Sequence, residues 1–366
     1  MKIERIEAIP YAIPYASPLK FASGEVDTAE HVLIRIHTDT GICGLADTPP
    51  RPYTYGETQD SIISVVTKVF APQLIGLDPL DRSKVQQILR RTVHNRTAKG
   101  ALDIALWDVI GISLDTPVHK LLGGFTESMR VSHMLGFKPA AELLQEALRV
   151  RESYGINTFK LKTGRRPLSL DVEACHVLRE GLGEDTEIYL DANRGWTANE
   201  ALEVLRRTEG LGLSMLEEPC DAGEVMGRRR LVEQSKIPIV GDESVPTLGD
   251  VSRELLSGGS NAICIKTARS GFTEAQQILG LCEGLGVDVT MGNQIDTQVG
   301  SLATVTFGAA FEATSRRAGE LSNFLDMTDD LLAEPLEIRD GAIRVREVAG
   351  VGAQIDTDKL KRYRQN

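Results

Sequence analysis

"TFKLKTGRRPLSLDVEACHVLREGLGEDTEIYLDAN", residues 158–193, holds one complete strand–helix–strand unit. Its ends, "TFKLK" and "EIYLD", are short apolar runs, and the "LSLDVEACHVLREGLG" between them has the length and apolar spacing of a helix closed by glycine. Strands joined in this way run parallel and are buried on both faces, which accounts for the missing polar alternation. Lys160 and Lys162, two positions apart, then point the same way. Taken alone, such a pair reads as a solvated edge strand. The sequence on either side argues otherwise.

The same rhythm runs from about residue 130 onward through "RVSHMLGF", "TFKLKTG", "EIYLDAN", "SMLEEP", "PIVGDES", "AICIKTA" and "VDVTMGN", with helical stretches such as "TANEALEVLRRTEGLG" between them. With an eighth strand near "AGELSNFL" (318–325), this predicts an α/β fold, a modified (β/α)7β TIM-type barrel over residues 126–330. Residues 1–125 read as an α+β capping domain: strands around the Asp-Thr-Gly of "HVLIRIHTDTGICGLAD" (31–47), a helix in "QDSIISVVTKVFAPQLIG" stopped by Ala71-Pro72 and Gly76, then helices over 81–91 and 97–114. Residues 331–366 return to hairpin-like alternation around Asp340-Gly341 and are expected to fold back onto the capping domain.

Composition narrows the function. A net charge of −11 argues against a nucleic-acid partner, which needs clustered Lys/Arg; the triplet Arg228–Arg230 is too short to supply it. No run approaches the roughly 18 apolar residues of a membrane span, and the opening "MKIERIEAIPYAIPYA" reads as a first strand, so a cytoplasmic protein is expected. Five scattered cysteines without C-x-x-C spacing fit reduced thiols better than a zinc site or a disulfide framework.

The strand ends carry the chemistry. The second barrel strand ends with Lys160 and Lys162, the third with Asp191 and Asn193, the fourth with Glu217 and Glu218, the fifth with Asp242 and Glu243, the sixth with Lys266. From Lys162 the steps to Asp191, Glu217, Asp242 and Lys266 are 29, 26, 25 and 24 residues, about one βα unit each, which brings all these groups to the C-terminal mouth. Any one acidic residue could simply cap the next helix. Three carboxylates and three lysines converging without function would bury like charges at several kcal/mol each. Three carboxylates without Cys or His suit a hard cation, Mg²⁺ or, second, Mn²⁺. Lysines on either side of it could move a carbon-bound proton, and Asn193 could orient a water or substrate oxygen. No histidine follows His176, which excludes a histidine relay on the later strands. The implied chemistry is proton transfer α to a carboxylate, through an enediolate.

"KLK", "LDAN", "LEEP", "GDES" and "IKTARSGF", together with the helical "ALDIALWDVIGISLDTPVHKLLGG" (101–124), resemble the enolase superfamily, muconate-lactonizing-enzyme subgroup, along nearly the whole chain. The resemblance implies Asp191, Glu217 and Asp242 as metal ligands, Lys162 and Lys266 as the acid/base pair, and Lys160 as the partner that neutralises a bound carboxylate. It also implies a homo-oligomer, octamer or dimer. After the seventh strand, "TMGNQIDTQVGS" departs from the subgroup pattern and puts Asp296 where a Glu would fall; the eighth strand has Glu320 and Ser322 where dipeptide epimerases carry Asp-x-Asp. Capping-domain loops 17–25 and 49–58 offer Lys20, Arg51, Tyr53 and Tyr55 to a second carboxylate, so a small dicarboxylate is the expected substrate. The cycloisomerase branch, closing a lactone ring on cis,cis-muconate with Lys266 giving the proton in an anti addition, is the leading expectation. The alternatives are an N-acylamino-acid racemase or dipeptide epimerase, and a non-catalytic metal-binding barrel.

Overall fold

The computed structural model describes residues 1–21 and 24–365, with the backbone alone at 19–21, 24 and 25. The capping domain is built on an antiparallel sheet of β1 (Ile3–Phe21), β2 (Gly24–Thr38) and β3 (Cys43–Thr48), in that order. Ile34 of β2 pairs with Ala8 of β1 and Ala46 of β3. The apolar helix Arg96–Ser113 lies on the sheet so closely that a Cβ on Gly44 would stand 2.2 Å from the carbonyl oxygen of Ala105. Only glycine permits that approach.

The helix expected to be stopped by Ala71-Pro72 and Gly76 runs through the proline and ends at Leu74, just before Gly76. Its turn widens over Val65–Phe70, the Ala71 N–H reaches back to the Val66 carbonyl, and Pro72 opens the short helix Ala71–Leu74. Proline lacks the N–H that a helix interior needs but fits a first turn, so the widened turn accommodates it.

Eight parallel strands form the barrel: β4 (Ser128–Leu135), β5 (Thr158–Lys162), β6 (Glu187–Asp191), β7 (Leu216–Glu217), β8 (Ile239–Gly241), β9 (Ala262–Ile265), β10 (Asp288–Met291) and β11 (Gly319–Glu320). Neighbours pair in chain order, and β11 returns to β4. All five residues of β5 are buried, as the sequence requires of a strand covered on both faces. Register sets the site: Lys162 lies beside Asp191, and Asp191 beside Glu217, on three successive strands. The ring is stitched at β10 and β11 by Asn293, whose backbone N–H donates to Glu320 Oε2 at 3.3 Å.

The last segment divides its contacts. A short strand, β12 (Ala342–Arg344), runs antiparallel to β4 and so joins the barrel and not the cap. Beyond it the chain does reach the cap: the Val351 N–H donates to Asp108 Oδ1 at 2.6 Å and the Gln365 N–H to the Pro10 carbonyl at 3.0 Å.

Cap and barrel are joined by a buried charge pair. His31 Nδ1 stands 2.9 Å from Asp47 Oδ2, and His31 Nε2 stands 3.0 Å from the carbonyl oxygen of Ile295, in the loop after β10. Nε2 faces a carbonyl acceptor and Nδ1 a carboxylate at ion-pair distance, surroundings that favour the protonated ring. Asp47 also accepts from Tyr11 Oη at 2.7 Å and from Thr297 Oγ1 at 2.6 Å. Burial alone would lower the His31 pKa, but the Asp47 carboxylate outweighs it and the net shift is upward. Burial would likewise raise Asp47, and His31 with the hydroxyl donors brings it below its usual value. The His31 contribution to stability is therefore complete below the ordinary imidazole range and is lost as pH rises through the raised folded value. The Asp47 contribution holds above the ordinary carboxylate range and is lost as pH falls through the lowered one. Asp47→Asn is expected to cost ~3 kcal/mol near neutral pH. In denaturant melts across pH, the gap to wild type should close as His31 loses its proton; a gap independent of pH would contradict a charged pair.

Candidate active site

Backbone register and turn geometry deliver the functional side chains to one end of the barrel. Asp191, Glu217, Asp242 and Lys160 are almost wholly buried, and Lys162 and Lys266 nearly so. Lys160 Nζ lies 2.9 Å from Asp191 Oδ2 and 2.8 Å from Glu217 Oε1, and also donates to Glu320 Oε1. Lys162 Nζ donates to Asp191 Oδ2 at 2.5 Å and to Asn193 Oδ1 at 2.7 Å. On the far side Lys266 Nζ donates to Asp242 Oδ2 at 2.5 Å. The structure thus brings together the three carboxylates and three lysines that the sequence placed at the strand ends.

The charges are strongly biased. Burial would lower Lys160 and Lys266, but the carboxylates around them, Asp191, Glu217 and Glu320 for the first and Asp242 for the second, hold both well above the usual lysine range. Burial would raise Asp191, yet Lys160 and Lys162 bring it down to about 2. Glu217 goes the other way: burial lifts it, Lys160 pulls it down, and Asp191, Glu320 and Asp242 push it up again, leaving it well above the ordinary carboxylate range.

A buried carboxyl crowded by three others is short of positive charge, and that shortage is what a divalent cation would satisfy. Oxygens of Glu217 and Asp242 lie within 4.8 Å of each other and of the Cys264 sulfur. Burial and the adjacent Glu217 and Asp242 carboxylates hold that thiol well above its usual pKa, so it stays protonated and is a poor ligand. The oxygen donors of Asp191, Glu217 and Asp242 are the set that fits a hard ion.

Several of the expected contacts take other positions. Asn193, expected at a water or substrate oxygen, has both ends of its amide engaged by protein, accepting from Lys162 and donating to Glu243 Oε1 at 2.9 Å. Glu320, expected among the substrate contacts, lines the cavity but spends its charge on Lys160. Asp296 does not line the cavity; it is buried behind it, where the charges of Asp47 and His31 reach it, and is raised to about 7, chiefly by burial. Arg51, Tyr53 and Tyr55 do line the cavity, of about 80 Å³, although Tyr53 is mostly exposed. The side chain of Lys20 lies outside the described residues.

Other residues shape the site; Arg269 and Gly292 were not singled out by the sequence, and Glu218, expected at the mouth, takes a different direction. Arg269 donates to Asp242 Oδ1 and to Tyr55 Oη, each at 2.9 Å, tying a metal-type ligand to the cap. At Gly292 a Cβ would stand 2.6 Å from Lys266 Cε, so glycine there makes room for the lysine stem. Glu218, with φ of +37°, turns away from the mouth and accepts from the backbone N–H of Asp242 at 2.5 Å and of Ser244 at 3.1 Å, fixing the turn that carries Asp242. Arg228 holds Glu218 in place at 2.9 Å, with Glu254 at 2.7 Å on its other side. The basic triplet that reads as surface charge therefore starts with one of the most buried side chains in the chain.

Known proteins share this arrangement. The mandelate racemase / muconate lactonizing enzyme N-terminal domain model matches residues 5–123, and the enolase C-terminal domain-like model matches residues 142–359. The chain belongs to the mandelate racemase / muconate lactonizing enzyme family. Family relatives include the L-Ala-D/L-Glu epimerase of Bacillus subtilis, 30% identical over 85% of this chain and 86% of that protein. Muconate cycloisomerase 1 of Rhodococcus opacus is 28% identical over 100% of this chain and 99% of its own. Among solved family structures, a muconate lactonizing enzyme from Mucobacterium Smegmatis complexed with muconolactone superposes with a TM-score of 0.99 at 55% identity, covering 100% of both chains. Enzymes of this family depend on a divalent metal.

Arg228→Leu would leave Glu218 and Glu254 buried without their counter-charge, an expected loss of roughly 3–5 kcal/mol. Chemical denaturation measures it. Calorimetric titration of Mn²⁺ into the same variant should show weaker binding as the Asp242 turn loosens, while Arg230→Leu, on the surface, should change neither.

Proposed function

We propose that this protein is a divalent-metal-dependent cycloisomerase that interconverts cis,cis-muconate and muconolactone. The observation that carries the reading is the 55% identity, end to end, with an enzyme whose solved structure holds muconolactone. The epimerase and racemase relatives stand at 30% identity or less, and the eighth strand with the two residues after it reads Gly319-Glu320-Leu321-Ser322, without the Asp-x-Asp expected of a dipeptide epimerase.

Asp191, Glu217 and Asp242 would hold the ion, Mg²⁺ first and Mn²⁺ as its substitute, since all the donors are hard carboxylate oxygens. When bound, the ion supplies charge stabilisation to a substrate carboxylate as the carbon next to it gains electron density. The protein's own groups do the rest. One carboxylate oxygen of muconate closes on the carbon β to the other carboxylate, and the electron pair of that double bond passes to the α-carbon, which takes a proton. Lys266 Nζ, across the mouth from Lys160 and Lys162, delivers that proton and regains one from water. Delivery from the side opposite the new C–O bond is anti addition; delivery from Lys162 would be syn. Lys160, walled in by carboxylates, is the fixed positive charge beside the acid group. Asn193 steadies Lys162. The same reading carries assembly into a homo-octamer or dimer, which sedimentation measures.

Ultraviolet absorbance of cis,cis-muconate should fall on adding enzyme with Mg²⁺ or Mn²⁺, while N-succinyl amino acids and dipeptides show no exchange of the α-hydrogen. Lys266→Ala should lose on the order of 10³-fold or more in kcat. Turnover of the racemase substrates in place of muconate would replace this reading with the alternative. Run in deuterium oxide, the reaction should place the label anti to the ring oxygen by NMR; a syn label would move the proton donor to Lys162.

A further inference from the structure

Beyond the carboxylates and lysines, the cavity wall has a side formed by the ends of β10 and β11, and it holds groups without partners. Gln294 and Asn323 both line the cavity, and both are buried, at 3% and 8% exposure. Gln294 Oε1 and Asn323 Nδ2 have no hydrogen-bond partner among the described residues. Unmet polar atoms that deep cost about 1–3 kcal/mol each, which favours a ligand that meets them.

The network behind Gln294 indicates the ligand's sign. Tyr55 Oη accepts from Arg269 Nη1 at 2.9 Å and from Gln294 Nε2 at 2.6 Å. In that arrangement the phenol proton has no acceptor among the described residues and neither does Gln294 Oε1 a donor. A half-turn of the Gln294 amide resolves both: Tyr55 then accepts from Arg269 and donates to Gln294 Oε1, and the Gln294 NH₂ swings to the unpartnered position. The wall then presents N–H donors from Gln294 and, beside the Tyr15 phenol, from Asn323, with the Arg51 guanidinium on the same cavity. Donors from neutral amides beside a cation match an acceptor-only anion, and a carboxylate is the anion the reaction offers.

We propose that Gln294 and Asn323 form the subsite for the substrate's second carboxylate, with Tyr55 and Arg269 fixing the orientation of the Gln294 amide. This rests on the dicarboxylate reading above and deepens it. The specificity for a diacid then lies in the β10 and β11 ends and not in the capping loops alone. Tyr55 acts here as a positioning residue.

The test uses isosteric changes that keep the fold. Gln294→Glu and Asn323→Asp each replace a donor with an acceptor and bring negative charge against the second carboxylate. KM for cis,cis-muconate should rise roughly tenfold or more in each, with kcat changed much less. Competitive inhibition separates the subsite from general damage. Adipate, a non-reacting diacid, should inhibit the Mn²⁺-loaded wild type better than hexanoate, which lacks one carboxylate, and in both variants that preference should collapse while hexanoate inhibition stays the same. An unchanged adipate preference in the variants, or equal weakening of both inhibitors, would overturn the proposal. A wild type that binds adipate over hexanoate yet leaves muconate unreacted would sink the cycloisomerase reading and leave the diacid subsite standing.

Discussion

The constraint on which the site depends is a single ammonium group with no access to water. Lys160 is fully buried, and three carboxylates from three other strands reach its Nζ. No exposed pair would have this consequence, because solvent screens surface charges to a fraction of a kcal/mol. Inside the barrel the lysine makes it possible to hold Asp191, Glu217 and Glu320 near one another at all. It also leaves the group short by some positive charge, which is visible in Glu217, held above its ordinary range despite lying against an ammonium. The barrel is thus pre-set for a doubly charged guest, and its strand register, with Lys162 beside Asp191 and Asp191 beside Glu217, is the scaffold of that demand.

Around this centre the protein uses a second layer of charge to fix backbone. Glu218 does not face the mouth; it gathers two backbone N–H groups of the next strand end, and Arg228 and Glu254 anchor it in turn. The strained left-handed backbone at Glu218 fits this division of labour, since adjacent residues must send their side chains to opposite tasks. Arg269 does the same for the far side, linking Asp242 to Tyr55 of the cap.

Much of this was legible in the chain itself. The barrel was, because fully buried parallel strands have a plain signature and because the spacing from Lys162 to Lys266 repeats one βα unit. The convergence of the three carboxylates and three lysines was legible for the same reason. Arg228 was not: in sequence it is one of three adjacent arginines on a helix, and only the packing of that helix beside Glu218 and Glu254 distinguishes it from its neighbours. Gly292 was not legible either, since its meaning is the distance to a lysine on another strand. Asp296 was misplaced because counting along a loop says nothing of which way a turn faces; Ile295, beside it, takes a left-handed φ of +65° and the next side chain is carried off the cavity wall. The passage of the helix through Pro72 was hidden because a widened turn absorbs the proline.

The loop after β10 has two anchors of different origin. Its second residue, Asn293, is tied to the barrel through Glu320, and two residues later the Ile295 carbonyl is held by His31 of the capping sheet. This part of the cavity wall is therefore jointly owned by two domains. A cap without this histidine and aspartate, even one that carried every lid residue intact, would leave the wall with one of its two anchors missing. The shape of that wall is a property of the two domains packed together and of neither one separately.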